Sequence, residues 1–140
     1  MNNQKNIVLC GVGGQGTVLA SKLLAAAAMS KDIPVMSAET IGMAQRGGSV
    51  FSHLRMGNDL FSPMIETGTA DLIIGFEPGE TVRMLPYLKT GGHVVVSTRA
   101  VKPVTATLSG FDYDAPQMFD YLKANVPNLT FVNADQACSD

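Results

Sequence analysis

The chain has 140 residues, of which 46% are hydrophobic and 16% charged, with a net charge of −2. That length fits one domain spanning residues 1–140 with a sizeable core, and the acidic balance, with a pI near 5.6, gives no basic footprint for nucleic acid. No run of roughly 18 apolar residues marks a membrane span, and the polar start at residues 1–6 lacks the apolar core of a signal peptide, so a cytoplasmic protein is expected.

Residues 7–10 read as a first strand, Ile7-Val8-Leu9-Cys10. The run Gly11-Val12-Gly13-Gly14-Gln15-Gly16 follows directly, and an apolar, alanine-rich helix follows that, from residue 16 to about residue 31. Strand, glycine turn and helix form the setting in which Gly-x-Gly-x-x-Gly signals a phosphate or nucleotide site. Gly11 permits the tight turn, Gly13 a close approach of backbone to ligand, and Gly16 close helix–strand packing. The helix start adds free N–H groups and a positive dipole end, and Thr17 a hydroxyl. The same turn also serves as a packing device with no ligand. On the helix, Leu19, Leu23, Leu24, Ala27 and Ala28 recur at three- and four-residue steps and predict the core-facing stripe, with residues 25–28 packing closely on the sheet.

Residues 33–37 read as the second strand. Glu39 then stands about where a dinucleotide site places its ribose-binding acid, though capping of the loop is the alternative. The segment Gly42-Met43-Ala44-Gln45-Arg46-Gly47-Gly48 is a second glycine-rich loop with one cation. A guanidinium between glycines suits bidentate contact with a carboxylate or phosphate, or equally an ion pair at an interface. Residues 49–56 predict a strand, and Gly57-Asn58-Asp59 a turn.

Residues 70–76 form an apolar strand expected to be covered on both faces. Pro78 opens a helix predicted to reach about Leu88 and to be stopped by Gly91-Gly92. Glu77, at the strand's carboxyl end, sits where open α/β sheets place ligands, but is also an ordinary helix-start charge. Residues 93–98 are a Val-rich strand, the pattern weakens after Pro103, residues 115–124 predict a helix, and residues 129–133 a last strand. Alternating strands and helices of this length specify an α/β, Rossmann-like, three-layer fold with a mostly parallel sheet. Cys10 and Cys138, with no Cys-x-x-Cys, cannot supply the four thiolates of an iron–sulfur cluster. His53 and His93 have no ligand-like spacing and are expected to be structural, and the methionines, among them Met36, Met43, Met56, Met64 and Met84, to fill core and interface gaps.

Taken together, the two glycine loops, the stretch Ala70-Asp71 to Phe76-Glu77-Pro78 and on to Leu85-Pro86-Tyr87-Leu88, and Gly91-Gly92 before Val94-Val95-Val96 resemble the gamma-type subunit of the 2-oxoacid:ferredoxin oxidoreductases. The resemblance runs from about residue 5 to about residue 135. Members acting on pyruvate show a Pro-Glu-x-Arg-Gly-Gly loop; Met43-Ala44-Gln45-Arg46-Gly47-Gly48 is instead similar to the indolepyruvate branch (its beta subunit), which handles aryl-pyruvates. The resemblance implies oxidative decarboxylation of a 2-oxoacid on thiamine diphosphate with magnesium, transfer of the acyl group to coenzyme A, and electron flow through iron–sulfur clusters to ferredoxin. It places the diphosphate and the clusters on a large partner subunit, and assigns this chain a Rossmann-like unit that can contact coenzyme A. The candidate cofactor-binding residues of the two loops are Gly11, Gly13, Gly14, Gln15, Gly16, Thr17, Gln45, Arg46 and Gly47; no catalytic residue or metal ligand is assigned. Family members continue beyond the point where this sequence stops, so a C-terminal truncation is expected. Two other readings stand beside it: a stand-alone nucleotide- or coenzyme-binding module, and a purely structural assembly subunit.

Overall fold

A computed structural model of the chain describes residues 3–40, 47–102, 104–110 and 112–139. The chain folds as β1 (Lys5–Val12), α1 (Thr17–Met29), β2 (Val35–Thr40), β3 (Ser49–Met56), β4 (Ala70–Gly75), α2 (Pro78–Met84), a 3-10 turn (Leu85–Tyr87), β5 (Leu88–Ser97), α3 (Val104–Ser109), α4 (Ala115–Asn125), β6 (Asn128–Val132) and α5 (Ala134–Ala137). The strands form one sheet in the order β2-β3-β1-β4-β5-β6. The β1–β4, β4–β5 and β5–β6 pairs are parallel, and β3 alone runs against both of its neighbours, β2 and β1. The expected α/β, mostly parallel, three-layer architecture is therefore present. No helix among the described residues is long and apolar enough to cross a membrane.

Strand β1 is the spine. Ile7, Val8, Leu9 and Cys10 are all buried, as a strand covered on both faces requires. Val8 and Cys10 join Ile73, Val94, Val96 and Leu122 in a core beneath α2 and α4. On the opposite face Ile7, Leu9 and Leu54 pack with Ala20, Leu24 and Ala25 of α1.

The inward face of α1 differs from the predicted stripe. Thr17, Ser21 and Ala28 are its buried residues, and with Leu24 they follow helical spacing. Leu19 and Leu23 are 61% and 62% exposed, and Ala26 and Ala27 face solvent. Small side chains lie inward because the helix approaches β3 closely, where buried Ser52 is also small. Met64, expected to fill a gap, is exposed, whereas Met84 is in the core.

The helix predicted to reach Leu88 ends at Met84, and a 3-10 turn holding Pro86 replaces its last turn. Proline has no N–H to donate and clashes with a continuing helix. Gly91 and Gly92 lie inside β5, where the register with β4 shifts between Ala70 and Leu72. Gly91 takes up that irregularity at φ +78, a conformation that favours glycine. Helices α3 and α5, unread in the sequence, are short; α5 starts on Asn133, whose side chain accepts from Gln136 N at 3.2 Å.

One face of the sheet is incompletely covered. α1 packs over β1, β2 and β3. The register places Leu72, Ile74, His93, Val95, Thr130 and Val132 on the same side of β4, β5 and β6. There Leu72, Ile74 and Val95 are only partly buried and Val132 is exposed.

Candidate functional site: two glycine loops at the carboxyl end of the sheet

The order of the sheet brings the two glycine loops together. β1 and β2 both end at the carboxyl edge of the parallel strands, and the reversed β3 starts there, opposite the end of β1 at the Val12–Ser49 pair. The first loop therefore faces the end of the second. They touch directly: Gly13 N–H donates to Gly48 O at 2.8 Å. The close backbone approach for which a glycine at 13 is suited is made here by the protein's own second loop. Gly14 and Gly16 hold left-handed backbone at φ +97 and +86, and Gly47 at φ +77, which explains glycine at each.

Gln15 turns back over the first loop. Its Oε1 accepts from Val12 N at 2.7 Å, and its Nε2 donates to Phe76 O at 3.2 Å. Phe76 N in turn donates to Cys10 O at 2.8 Å. The side chain thus spans from the end of β1 to the end of β4. Gly11 lies beneath it; a Cβ there would sit 2.8 Å from both Gln15 Oε1 and Thr17 Oγ1. Thr17 is 3% exposed and its Oγ1 has no hydrogen-bond partner among the described residues. Gly16 starts α1 without any side-chain cap, and among the described residues the N–H groups of Gly14 and Gly16 make none of the backbone bonds of the loop. Of the candidate residues, the structure brings together Gly11, Gly13, Gly14, Gln15, Gly16, Thr17 and Gly47. Gln45 and Arg46 lie outside the described residues. Glu39 ends up on β2, separated from β1 by all of β3, about two strand spacings or 10 Å away, too far for a ribose contact with a ligand on the β1 loop.

Beside the loops, α2 contributes two buried carboxylates. Glu77 caps the helix, its Oε2 accepting from Glu80 N at 2.8 Å, and is fully buried. Burial pushes its carboxyl up to about 7, against the N–H groups of Glu80, Val101 and Gly79, which hold it down; the charge of Glu80 pushes the same way as burial. Glu80 accepts from Ser49 Oγ at 2.5 Å and lies 3.4 Å from Arg83. Ser49 therefore ties the second loop to α2. The helix-start reading of Glu77 holds, and its burial was not legible from composition. Cys10 lies beneath, its thiol pushed up to about 12 by burial, with Thr81 lowering it and Glu80 and Glu77 raising it. A thiol held so high is no nucleophile near neutral pH.

His53 is structural, as expected, with a specific task. It is 1% exposed, and its Nδ1 accepts from Ile65 N at 2.8 Å. An Nδ1 that accepts is unprotonated, and burial lowers the ring's pKa. The edge of Tyr87 packs against it at 5.1 Å. His93 lies 2.9 Å from Thr130 Oγ1 on the sheet face. Among the described residues no group of three or more His, Cys, Asp or Glu side chains could hold a metal ion. An iron–sulfur cluster does not fit this chain's donors, since Cys10 is buried and Cys138 exposed and four thiolates are needed.

Comparison with known proteins shows the family and the fold. The family model described as pyruvate ferredoxin/flavodoxin oxidoreductase matches residues 6–138. The chain is 40% identical over 132 residues to indolepyruvate oxidoreductase subunit IorB of Archaeoglobus fulgidus, covering 94% of this chain and 65% of the relative. It is 31% identical over 94 residues to the pyruvate/ketoisovalerate oxidoreductases common subunit gamma of Thermococcus kodakarensis, covering 66% and 51%. The chain thus spans about half to two thirds of the length of these relatives. The fold is shared with a keto/oxoacid ferredoxin oxidoreductase gamma subunit from Geobacter sulfurreducens, at TM-score 0.57 and 24% identity over 73% of this chain and 56% of that one. It is also shared with 2-oxoglutarate:ferredoxin oxidoreductase from Magnetococcus marinus, at TM-score 0.62 and 16% identity over 95% and 20%.

Proposed function

Because the chain belongs to the pyruvate ferredoxin/flavodoxin oxidoreductase family, we propose that it is the cluster-free subunit of a thiamine-diphosphate-dependent 2-oxoacid:ferredoxin oxidoreductase. The complex converts a 2-oxoacid, of the aryl-pyruvate type such as indolepyruvate, to an acyl-CoA in the cytoplasm. A large partner subunit binds thiamine diphosphate, magnesium and the iron–sulfur clusters and passes electrons to ferredoxin. The observation that carries this reading is the Gly13–Gly48 bond, which sets the end of the second loop, Gly47-Gly48, against the first at the end of the sheet where open α/β folds place ligands. Coenzyme A fits that surface in kind: the N–H groups of Gly14 and Gly16, at the uncapped start of α1, suit its phosphates. Bound there, coenzyme A would supply the thiol that accepts the acyl group. In this reading the chain's residues hold and orient, and the proton transfers on the substrate fall to the partner subunit.

Co-expression with the large subunit tests the reading. The purified pair should reduce ferredoxin with indolepyruvate and coenzyme A, and neither chain should do so alone. Turnover by the large subunit at the same rate without this chain, or ferredoxin reduction by this chain alone, would refute it. The assembly-only reading is favoured by the same Gly13–Gly48 contact, which uses a loop donor internally. It separates from the first if the complex assembles on this chain but its Michaelis constant for coenzyme A is unmoved by Gly14→Val.

A further inference from the structure

In a doubly wound sheet a dinucleotide lies across the crevice where the strand order reverses, its pyrophosphate over the glycine turn. Here that crevice is between β1 and β4, and three features of the chain's own structure occupy or dismantle it. The Gln15 side chain lies across its mouth, bonded to Val12 N on one wall at 2.7 Å and to Phe76 O on the other at 3.2 Å. Gly13 N–H, at the position where backbone approaches a pyrophosphate, is bonded at 2.8 Å to Gly48 O. The acid that would receive a ribose hydroxyl, Glu39, is displaced outward by β3.

We propose that Gln15 is the specificity-determining residue of this crevice, the side chain that shuts a dinucleotide-type glycine loop to NAD, FAD and other dinucleotides. The amide suits the task because it both donates and accepts. It satisfies a turn N–H and a strand-end carbonyl that a bound dinucleotide would otherwise leave to solvent or to itself. Gly11 makes room for it, since a side chain there would meet Gln15 Oε1 at 2.8 Å. This narrows the ligand class of the site proposed above and rests on that reading only for the site's location.

The test uses the full chain and calorimetric titration with NAD and with FAD. The wild type should show no saturable binding up to millimolar ligand. Gln15→Ala, which clears the mouth of the crevice, should bind NAD or FAD at least about tenfold more tightly than the wild type. Gln15→Glu keeps the length and the acceptor facing Val12 N, adds a charge adverse to phosphate, and should stay closed. If Gln15→Ala does not fold, Gln15→Ser is judged by the same tenfold criterion. Micromolar binding of NAD by the wild type overturns the proposal. So does a folded Gln15→Ala or Gln15→Ser chain that binds no better than wild type. Each of those results leaves the ferredoxin-reduction assay untouched, and failure of that assay leaves this titration interpretable.

Discussion

At Gly75, the last residue of β4, the fold leaves no room for a side chain. A Cβ there would lie 1.7 Å from Thr81 Oγ1 and 2.9 Å from Thr81 Cβ, and the Thr81 hydroxyl is engaged, donating to Glu77 O at 2.7 Å. Gly75→Ala should therefore cost about 1–3 kcal/mol, the usual range for overpacking, read as a lower urea midpoint; an unchanged midpoint would show that α2 shifts freely. Two positions on, Glu77 sets a pH dependence. Its folded-state pKa is raised from 4.5 to about 7, so the native state holds this proton more tightly than the unfolded chain. Its contribution to stability is full below about 4.5, falls as pH rises to about 7, and is level beyond. Glu77→Gln removes that titration. Urea titrations from pH 4.5 to 8 should show the variant gaining on the wild type across that window, and a pH-independent difference would contradict the assignment. The sequence placed Glu77 at a strand end and a helix start, and both hold. Its burial depends on the packing of the chain around Val101, remote in sequence, which no local pattern carries.

The element least faithfully read was α1, and the reason is physical. In a helix apolar nearly all round, period alone offers more than one candidate core face. The stripe of larger residues, Leu19 and Leu23, was the stronger pattern, but the face with Thr17, Ser21 and Ala28 is the one that lets the helix sit close to the sheet. A paired substitution separates the two readings. Leu24→Ala, against the core of Ile7, Leu9 and Leu54, should cost on the order of 2 kcal/mol. Leu23→Ala should change unfolding free energy by no more than about 0.5 kcal/mol. Equal costs would restore the predicted stripe. Elements bounded by strong local chemistry were legible: Pro78 opens α2 and Asp114 caps α4, accepting from Gln117 N at 3.1 Å. The missed 3-10 turn follows from Pro86, and the early start of β5 reflects the pairing of Leu88 with Ala70 of β4, a nonlocal gain that overrides the glycine signal.

For the molecule as a whole, alternation of apolar strands and helices was enough to specify the layered α/β architecture. The one reversed strand was not legible, because β-branched residues such as Val50, and the aromatic Phe51, carry no record of direction. That strand has a consequence of its own. Since β3 runs against β1 and β2, the chain leaves β2 at Thr40 and enters β3 at Ser49 on the same edge of the sheet, with Thr40 paired to Phe51. The connection between them closes a hairpin and never has to traverse the sheet, as a parallel crossover would. Closing such a loop becomes costlier only logarithmically, by about 0.6 kcal/mol for each doubling of its length. The stretch that carries Arg46 is thereby freed from the spacing rules that bind the rest of the chain. Insertions there are thermodynamically cheap, so the length of the connection can change while all six strands keep their register.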